Sequence, residues 1–471
     1  MHRTVLHWFR RDLRLTDNTA LHHAAATAQQ VIPIYVLSDW RKNHGWTGPN
    51  RQHFLCGSLA SLASNLTAIG SRLILRSGQA DTEIERLIHE TQASAVYFNR
   101  DYDPHGRVME QKVRAVCTRL GIDCHSHQDH VLHEPAAVLT LSGQPYRVFT
   151  PYSKNWLSLD KSAPQGRIST LGPQADEKIT SLPLPTLDHW QLPASTAQLP
   201  APGERAARQR LKHFITSGIL QRYGQQRDIP AGQTTSNLSQ DLRFGLISIR
   251  ELFQQCQQAQ ADSGPAAGSI QTYLKELAWR EFYCAILWHF PNVFDEEFSP
   301  DWRGLPWPGS EADFQRWTTG TTGFPIVDAG MRQLLHTGLM HNRLRMITAM
   351  FLTKDLHCDW RLGEAFFMQQ LVDGENASNN GGWQWSAGTG ADAAPYFRIQ
   401  NPWRQSVRFD PEGDYIKQWI PELRDVPAQL LHEPPPGQSL APDYPTPMVD
   451  HATERDRCLT LFAKHKTERR V

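Results

Sequence analysis

Five short runs rich in β-branched and aromatic residues alternate, over the first part of this chain, with stretches whose apolar residues recur every three or four positions. The runs are Thr4 to Phe9, Val31 to Leu37, Arg72 to Leu75, Ala95 to Asn99 and Ile122 to His125. The intervening stretches are Arg51 to Ile69, Thr82 to Thr91 and Gly106 to Leu120. Strand and helix in alternation require crossover connections. The expectation is therefore a parallel sheet covered on both faces, a Rossmann-like α/β domain over residues 1–130. No GxGxxG follows the first strand, so a dinucleotide site of that kind is not supported, although ligands of such sheets favour the carboxyl ends of the strands.

Regularity then fades. Pro, Ser, Thr and Leu dominate from Ser162 through Pro202, and residues 131–203 read as a connector laid over the surface. Beyond it the period is helical, at Arg205 to Ser217, Ser248 to Gln258, Ser269 to His289, Ile326 to Thr337, Leu339 to Cys358 and Arg361 to Leu371. This predicts an all-α domain over 204–471, with Glu454 to Arg470 as a surface helix or disordered tail. At 471 residues, two or three domains are expected. Lys+Arg 48 against Asp+Glu 48 leaves no net charge, so any polyanion footprint has to be local.

The seven scattered cysteines contain no CxxC pair, which argues against a disulfide framework and a zinc ribbon. His125, His127, His130 and His133 have no HExxH or CxxC partner, and no metal is expected. Without a secretory signal or a membrane-length apolar run, the expected setting is the cytoplasm. No GxSxG elbow or kinase signature is present.

Four segments concentrate chemistry. Val372 to Trp385 sets Asp373 and Glu375 beside Asn379 and Asn380, Gly381-Gly382, Trp383 and Trp385. It reads as a binding surface or as a Gly-broken helix end whose indoles fill core. In Tyr273 to Tyr283, helical spacing puts Glu276, Trp279, Arg280 and Tyr283 on one face, suited to a polar aromatic ligand or to a plain Glu276–Arg280 pair over a core Trp279. Asn342, Arg345 and Met346 share a face that suits a negative ring or a phosphate, or simply water. The hydroxyl-rich run Thr234 to Ser239 suits a diphosphate, or capping of the next helix.

Together these segments resemble the DNA photolyase/cryptochrome family, most closely its bacterial class I cyclobutane pyrimidine dimer photolyases. The matching blocks are Trp8 to Leu15 with Asp17-Asn18, Glu276 to Tyr283, Gly323 to Ala329, Met340 to Met346 and Val372 to Trp385. The resemblance implies an antenna domain, a connector and a helical domain holding reduced FAD. Tyr223, Thr235, Ser236, Asn237, Leu238 and Ser239 would cradle its phosphates and ribityl chain. Tyr273 and Arg280 would flank them. Arg345, Asp373, Gly374 and Glu375 would lie by the flavin ring, and Asn379 at its reactive nitrogen.

Glu276, Trp279, Asn342, Arg343, Met346, Trp385 and Arg404 would meet the lesion and its DNA, the dimer being flipped out of the stack. Photolyases are among the standard examples of such flipping. Excited reduced flavin would give the dimer an electron and recover it after ring opening. Trp307, Trp360 and Trp383 match a tryptophan chain that photoreduces the flavin. Glu375 stands where relatives usually carry Asp, and Asn237 where a basic residue is common. Asp101 to Arg107, with Arg51 and Arg243, resembles the 8-hydroxy-5-deazaflavin-binding members. The alternative antenna, 5,10-methenyltetrahydrofolate, goes with an Asn-Glu pair that aligns here with His105-Gly106. The implied partner is UV-damaged DNA, single- or double-stranded, met by a monomer at the nucleoid. A blue-light-sensing cryptochrome and a six-four photolyase are the rival readings.

Overall fold

The structure is a computed structural model that describes residues 1–40, 44–232, 234–392, 398–435 and 437–469, so Arg470 lies outside the described residues. Five strands, β1 (His2–Trp8), β2 (Ala28–Leu37), β3 (Ile74–Ser77), β4 (Ala95–Asn99) and β5 (Asp123–His127), form one parallel sheet in the order β3-β2-β1-β4-β5. Central β1 pairs Leu6 with Ile32 on one side and with Val96 on the other. Its residues Thr4 to Trp8 are buried, as a doubly covered strand requires.

Helices α1 (Thr19–Thr27), α2 (Pro49–Thr67), α3 (Ala80–Thr91) and α4 (Pro104–Leu120) supply the crossovers. The core on one face joins Leu21 and Phe54 of α1 and α2, and that on the other joins Ile84 and Val113 of α3 and α4. Helix α1 was not anticipated, because TALHHAAAT carries little amphipathic signal. Its start is fixed by Asn18, whose side chain accepts from the Leu21 N–H.

The expected connector contains one α-helix, α5 (Phe149–Ser158), and two short 3-10 turns at Pro135–Ala137 and Leu187–Trp190. The remainder is helical: α6 (Glu204–Thr216), α7 (Ile219–Gln226), α8 (Ser239–Arg243), α9 (Ile249–Ala261), α10 (Ala267–His289), α11 (Glu311–Thr318), α12 (Pro325–Thr337), α13 (Asn342–Met350), α14 (Trp360–Gln370), α15 (Asn376–Ala387), α16 (Pro402–Phe409), α17 (Asp414–Trp419), α18 (Ala428–His432) and α19 (His451–Glu468). The single helix expected over Leu339 to Cys358 instead starts at Asn342 and widens into a π turn at Phe351–Asp355. That turn carries Lys354 and Asp355, both buried. No helix among the described residues is long and apolar enough to cross a membrane.

Charged residues join the sheet domain to the helices. Arg14 sits 2.8 Å from Asp129, while Arg250 of α9 reaches Asp17 at 3.0 Å and Asp129 at 2.8 Å, all four side chains being nearly inaccessible to water. The α10 carboxylate of Glu281 accepts from the backbone N–H groups of Leu132 and His133 and from the Trp156 indole at 2.7 Å. The Glu281 contacts hold α10 against the segment that follows β5 and against α5.

Candidate functional site

A cavity of about 1310 Å³ opens among α7, the 234–239 loop, α8, α10, α13 and α15. Helix α10 presents Glu276, Trp279, Arg280 and Tyr283 to it, the face that helical spacing predicts. The simple Glu276–Arg280 pair is not formed. Glu276 takes the guanidinium of Arg227 instead, and Arg280 donates to the His130 carbonyl at 2.8 Å and to its ring. Burial and then the Arg280 charge hold the His130 imidazole well below its ordinary pKa, so the ring is neutral and can accept. Burial raises the Glu276 carboxyl, partly offset by the Arg227 guanidinium paired with it. Trp279 lies flat on Phe149 of α5 at 3.6 Å between ring centres, with Tyr283 at 5.5 Å, and lines the cavity.

The Val372 to Trp385 stretch forms the opposite wall, and most of it is helix α15. Its two glycines do different things. A Cβ at Gly381 would sit 2.0 Å from Cδ1 of Tyr283, so only glycine lets α15 approach α10 this closely, whereas a Cβ at Gly382 meets nothing within 4 Å and Gly382 lines the cavity. Helix propensity favours alanine at both positions by about 1 kcal/mol. Gly381→Ala is nevertheless expected to destabilise the protein by about 1–3 kcal/mol through overpacking and to lower the flavin-to-protein ratio. A more stable Gly381→Ala protein in urea unfolding would refute the close-approach argument.

Glu375 caps α15, accepting the Ser378 N–H at 3.0 Å, and pairs with Arg11 at 3.3 Å. Burial opposes its charge, but Arg11 and Arg280 outweigh burial and hold the carboxyl below its ordinary range. The extra methylene relative to Asp thus serves a cap and an interdomain ion pair. Asn379 lines the cavity and donates its amide to the Glu364 carbonyl at 3.1 Å, which orients its oxygen as acceptor.

Asp373 takes Arg345 of α13 at 2.7 Å through one oxygen, while its other oxygen, Oδ1, is buried with no partner. A buried carboxylate oxygen left without a donor in a cavity wall marks a place for a polar ligand. Arg343 pairs with Asp228 at 2.7 Å and lies over the Phe409 ring at 4.5 Å. Asn342, Met346 and the run Thr235 to Ser239 also line the cavity. Leu238 stands at the cap position of α8 without a side-chain cap bond, so the hydroxyls of that loop are not spent on capping.

Residues 5–168 match the family model "DNA photolyase", and residues 273–464 match "FAD binding domain of DNA photolyase". A deoxyribodipyrimidine photo-lyase of Synechococcus sp. is 42% identical over 98% of this chain and 97% of its own. The chain belongs to the DNA photolyase family. It is an enzyme of that family, and its helical part is an FAD-binding domain. Among solved structures, a class III photolyase from Agrobacterium tumefaciens is 38% identical with a TM-score of 0.91, covering 99% of this chain and 98% of its own. A Synechocystis cryptochrome is 28% identical with a TM-score of 0.89, covering 98% and 99%.

The cavity fits the family's flavin. At about 1310 Å³ it exceeds the roughly 300–1,000 Å³ usual for one small ligand, leaving room for a dinucleotide and a second occupant. Of the three tryptophans singled out from sequence, Trp383 lines the cavity and is buried, Trp360 is fully buried, and Trp307 is half-buried beside Phe462 of α19. The ring contacts of Trp383 are Phe367 at 5.0 Å and Trp317 at 5.9 Å, and Trp317 was not singled out from sequence because it lies outside the matching blocks.

Of the antenna candidates, Arg243 reaches the cavity, while Arg51, Asp101 and Asp103 lie in a buried seam behind it. There Arg11 pairs with Asp101 at 3.2 Å, Arg51 and Arg243 both donate to the Gly374 carbonyl, and Asp103 caps α4 through the Gly106 N–H. Burial pushes Arg51 down to about 9 and Arg243 to about 10. Arg404 stands exposed on α16, outside the cavity wall. Sequence reasoning missed Arg227, Asp228 and Arg398, which lie near the lesion residues it named: Arg227 on Glu276, Asp228 on Arg343, and Arg398 over Trp385 at 5.8 Å.

Proposed function

We propose that this enzyme repairs cyclobutane pyrimidine dimers in DNA with light. The observation that carries the reading is the continuity of one cavity, with Asp373, Arg345 and Asn379 on its flavin-type wall and Glu276, Trp279, Asn342, Met346 and Trp385 on its lesion-type wall. When bound, reduced FAD supplies the light-driven electron that opens the dimer. The protein's share is placement. Asp373 and Arg345 hold polar edges of the flavin, and Asn379 offers an amide oxygen fixed by Glu364. Tyr223, Tyr273, Arg280 and the Thr235 to Ser239 loop hold the phosphates and ribityl chain.

Trp279 and Trp385 give the flipped dimer two flat apolar faces, and Glu276 meets its polar edge. Arg343 and exposed Arg404 meet flanking phosphates. Because Arg227 and Asp228 already pair with Glu276 and Arg343, a dimer exchanges partners with ion pairs rather than meeting bare charges.

We further propose the division at 1–130, 131–203 and 204–471, action as a monomer in the cytoplasm, and class I membership, beside which stands the likeness to a class III structure. For the antenna we favour 8-hydroxy-5-deazaflavin over methenyltetrahydrofolate. A side chain at Gly106 would come within 2.6 Å of the Asp101 Cβ, which supports the absence of the Asn-Glu pair there.

The similarity to a cryptochrome favours a photoreceptor as second reading. Flavin-loaded, reduced enzyme illuminated with dimer-containing oligonucleotide separates the two: restored pyrimidines support repair, and intact dimers support the photoreceptor. Glu276→Ala is expected to bind dimer about tenfold to a hundredfold more weakly, the worth of a charged or donor-rich hydrogen bond of about 1.5–3 kcal/mol, while retaining FAD. Release of FAD by this variant would place Glu276 at the cofactor instead.

A further inference from the structure

At the amino end of the sheet, away from the cavity, three ligating side chains converge. His2 opens β1, and Asp123 and His125 lie near the start of β5, with β4 between the two strands. Alternation along β5 puts Asp123 and His125 on one face, and parallel pairing brings the start of β1 to the same end. One ligand atom from each of the three lies within 4.8 Å of the others, and His2 Nε2 is 3.7 Å from Asp123 Oδ2.

Two contacts prepare the imidazoles. The Ser94 hydroxyl donates to the Thr4 carbonyl at 3.4 Å and lies 2.8 Å from His2 Nδ1. The Ser94 contact orients the His2 ring through Nδ1 and leaves Nε2 as the nitrogen that faces Asp123. The His125 ring lies against Tyr97 at 4.6 Å, and Tyr97 is anchored through its hydroxyl to Thr27 at 2.9 Å.

We propose that His2, Asp123 and His125 bind a divalent transition metal of the zinc type, with water completing its shell. Two imidazole nitrogens and one carboxylate oxygen suit such an ion, whereas magnesium and calcium take oxygen ligands. Zinc bonds of about 2.0–2.2 Å place tetrahedral ligand atoms about 3.3 Å apart, close to the present His2–Asp123 spacing. Asp123 is exposed and turns freely to close the rest. Sequence spacing supplies only Asp123 and His125 as neighbours. The third ligand comes from β1, far off in the chain, so a motif search does not find it. A bound metal cross-links the first strand to the edge strand across β4 and stabilises the fold by mass action.

The test uses full-length, flavin-loaded enzyme purified without a histidine tag. Zinc is titrated in competition with a chromophoric chelator, and thermal unfolding is followed with zinc or with magnesium. Expected are one bound zinc per chain and a rise in Tm with zinc alone. His2→Ala, His125→Ala and the fold-safe Asp123→Asn should each weaken binding at least about tenfold, and Ser94→Ala by about tenfold although it is no ligand. His127→Ala, one imidazole farther along the edge, leaves binding unchanged. Absence of stoichiometric zinc, parental affinity in the His125→Ala and Asp123→Asn proteins, or loss of binding in His127→Ala overturns the proposal.

Discussion

Arg250→Met should cost about 3–5 kcal/mol of stability, because it leaves a buried carboxylate without its partner. Arg14, Asp17, Asp129 and Arg250 form a balanced set, and Arg250 serves both carboxylates across the boundary between sheet and helices. Methionine matches much of the volume but supplies no charge. Urea unfolding read by flavin release and by circular dichroism measures the loss. The same set fixes an acid response. Burial pushes Asp129 up, but Arg14 and Arg250 outweigh it and bring the carboxyl from its ordinary 3.8 to about 2. A carboxyl depressed on folding contributes stability above its unfolded value, and the contribution is lost as pH falls through the folded value. The parent should therefore weaken as pH falls from about 4 toward 2. In Arg250→Met the folded value of Asp129 rises, so acid unfolding begins at higher pH. A variant within about 1 kcal/mol of the parent would mean that the network is dispensable.

What sequence conveys about this molecule follows the range of the forces involved. The sheet was legible because its central strands β1, β2 and β4 are largely buried by local pattern, and Ala95–Asn99 matches its expected bounds. The α10 face was legible because i, i+3 and i+4 spacing fixes direction once a helix is granted. The choice between bland and functional readings was not. Whether Glu276 pairs with Arg280 or with Arg227, and whether the 234–239 hydroxyls cap a helix, depend on partners brought by the fold. Helix α15 was obscured because two adjacent glycines argue against a helix interior, and the reason for Gly381 lies in Tyr283 of another helix. Arg250 was silent for the same cause: its carboxylates stand 233 and 121 positions away.

Trp383→Phe should abolish light-driven reduction of the bound flavin while leaving dimer repair by chemically pre-reduced enzyme intact. Trp383 is 2% exposed, lines the cavity and packs edge-on against Phe367. A Cβ at Gly363 would sit 2.1 Å from its Cη2, so α14 is shaped around this indole. Phenylalanine keeps a flat apolar ring in the slot but is far harder to oxidise than indole. With an external reductant present, photoreduction should fall at least about a hundredfold, an added barrier of about 2.7 kcal/mol.

The direction of the chain follows from solvation. On the proposed route through Trp383, Trp360 and Trp307, only Trp307 is half-buried, so water stabilises a positive hole there as it does not on the buried rings of Trp383 and Trp360. Trp307→Phe should then permit the first, short-lived charge separation but suppress accumulation of reduced flavin, which transient absorption distinguishes from the Trp383 variant. Normal photoreduction in Trp383→Phe would make this indole a packing residue and move the electron route elsewhere. Loss of repair in the pre-reduced variant would instead tie Trp383 to the flavin's own placement.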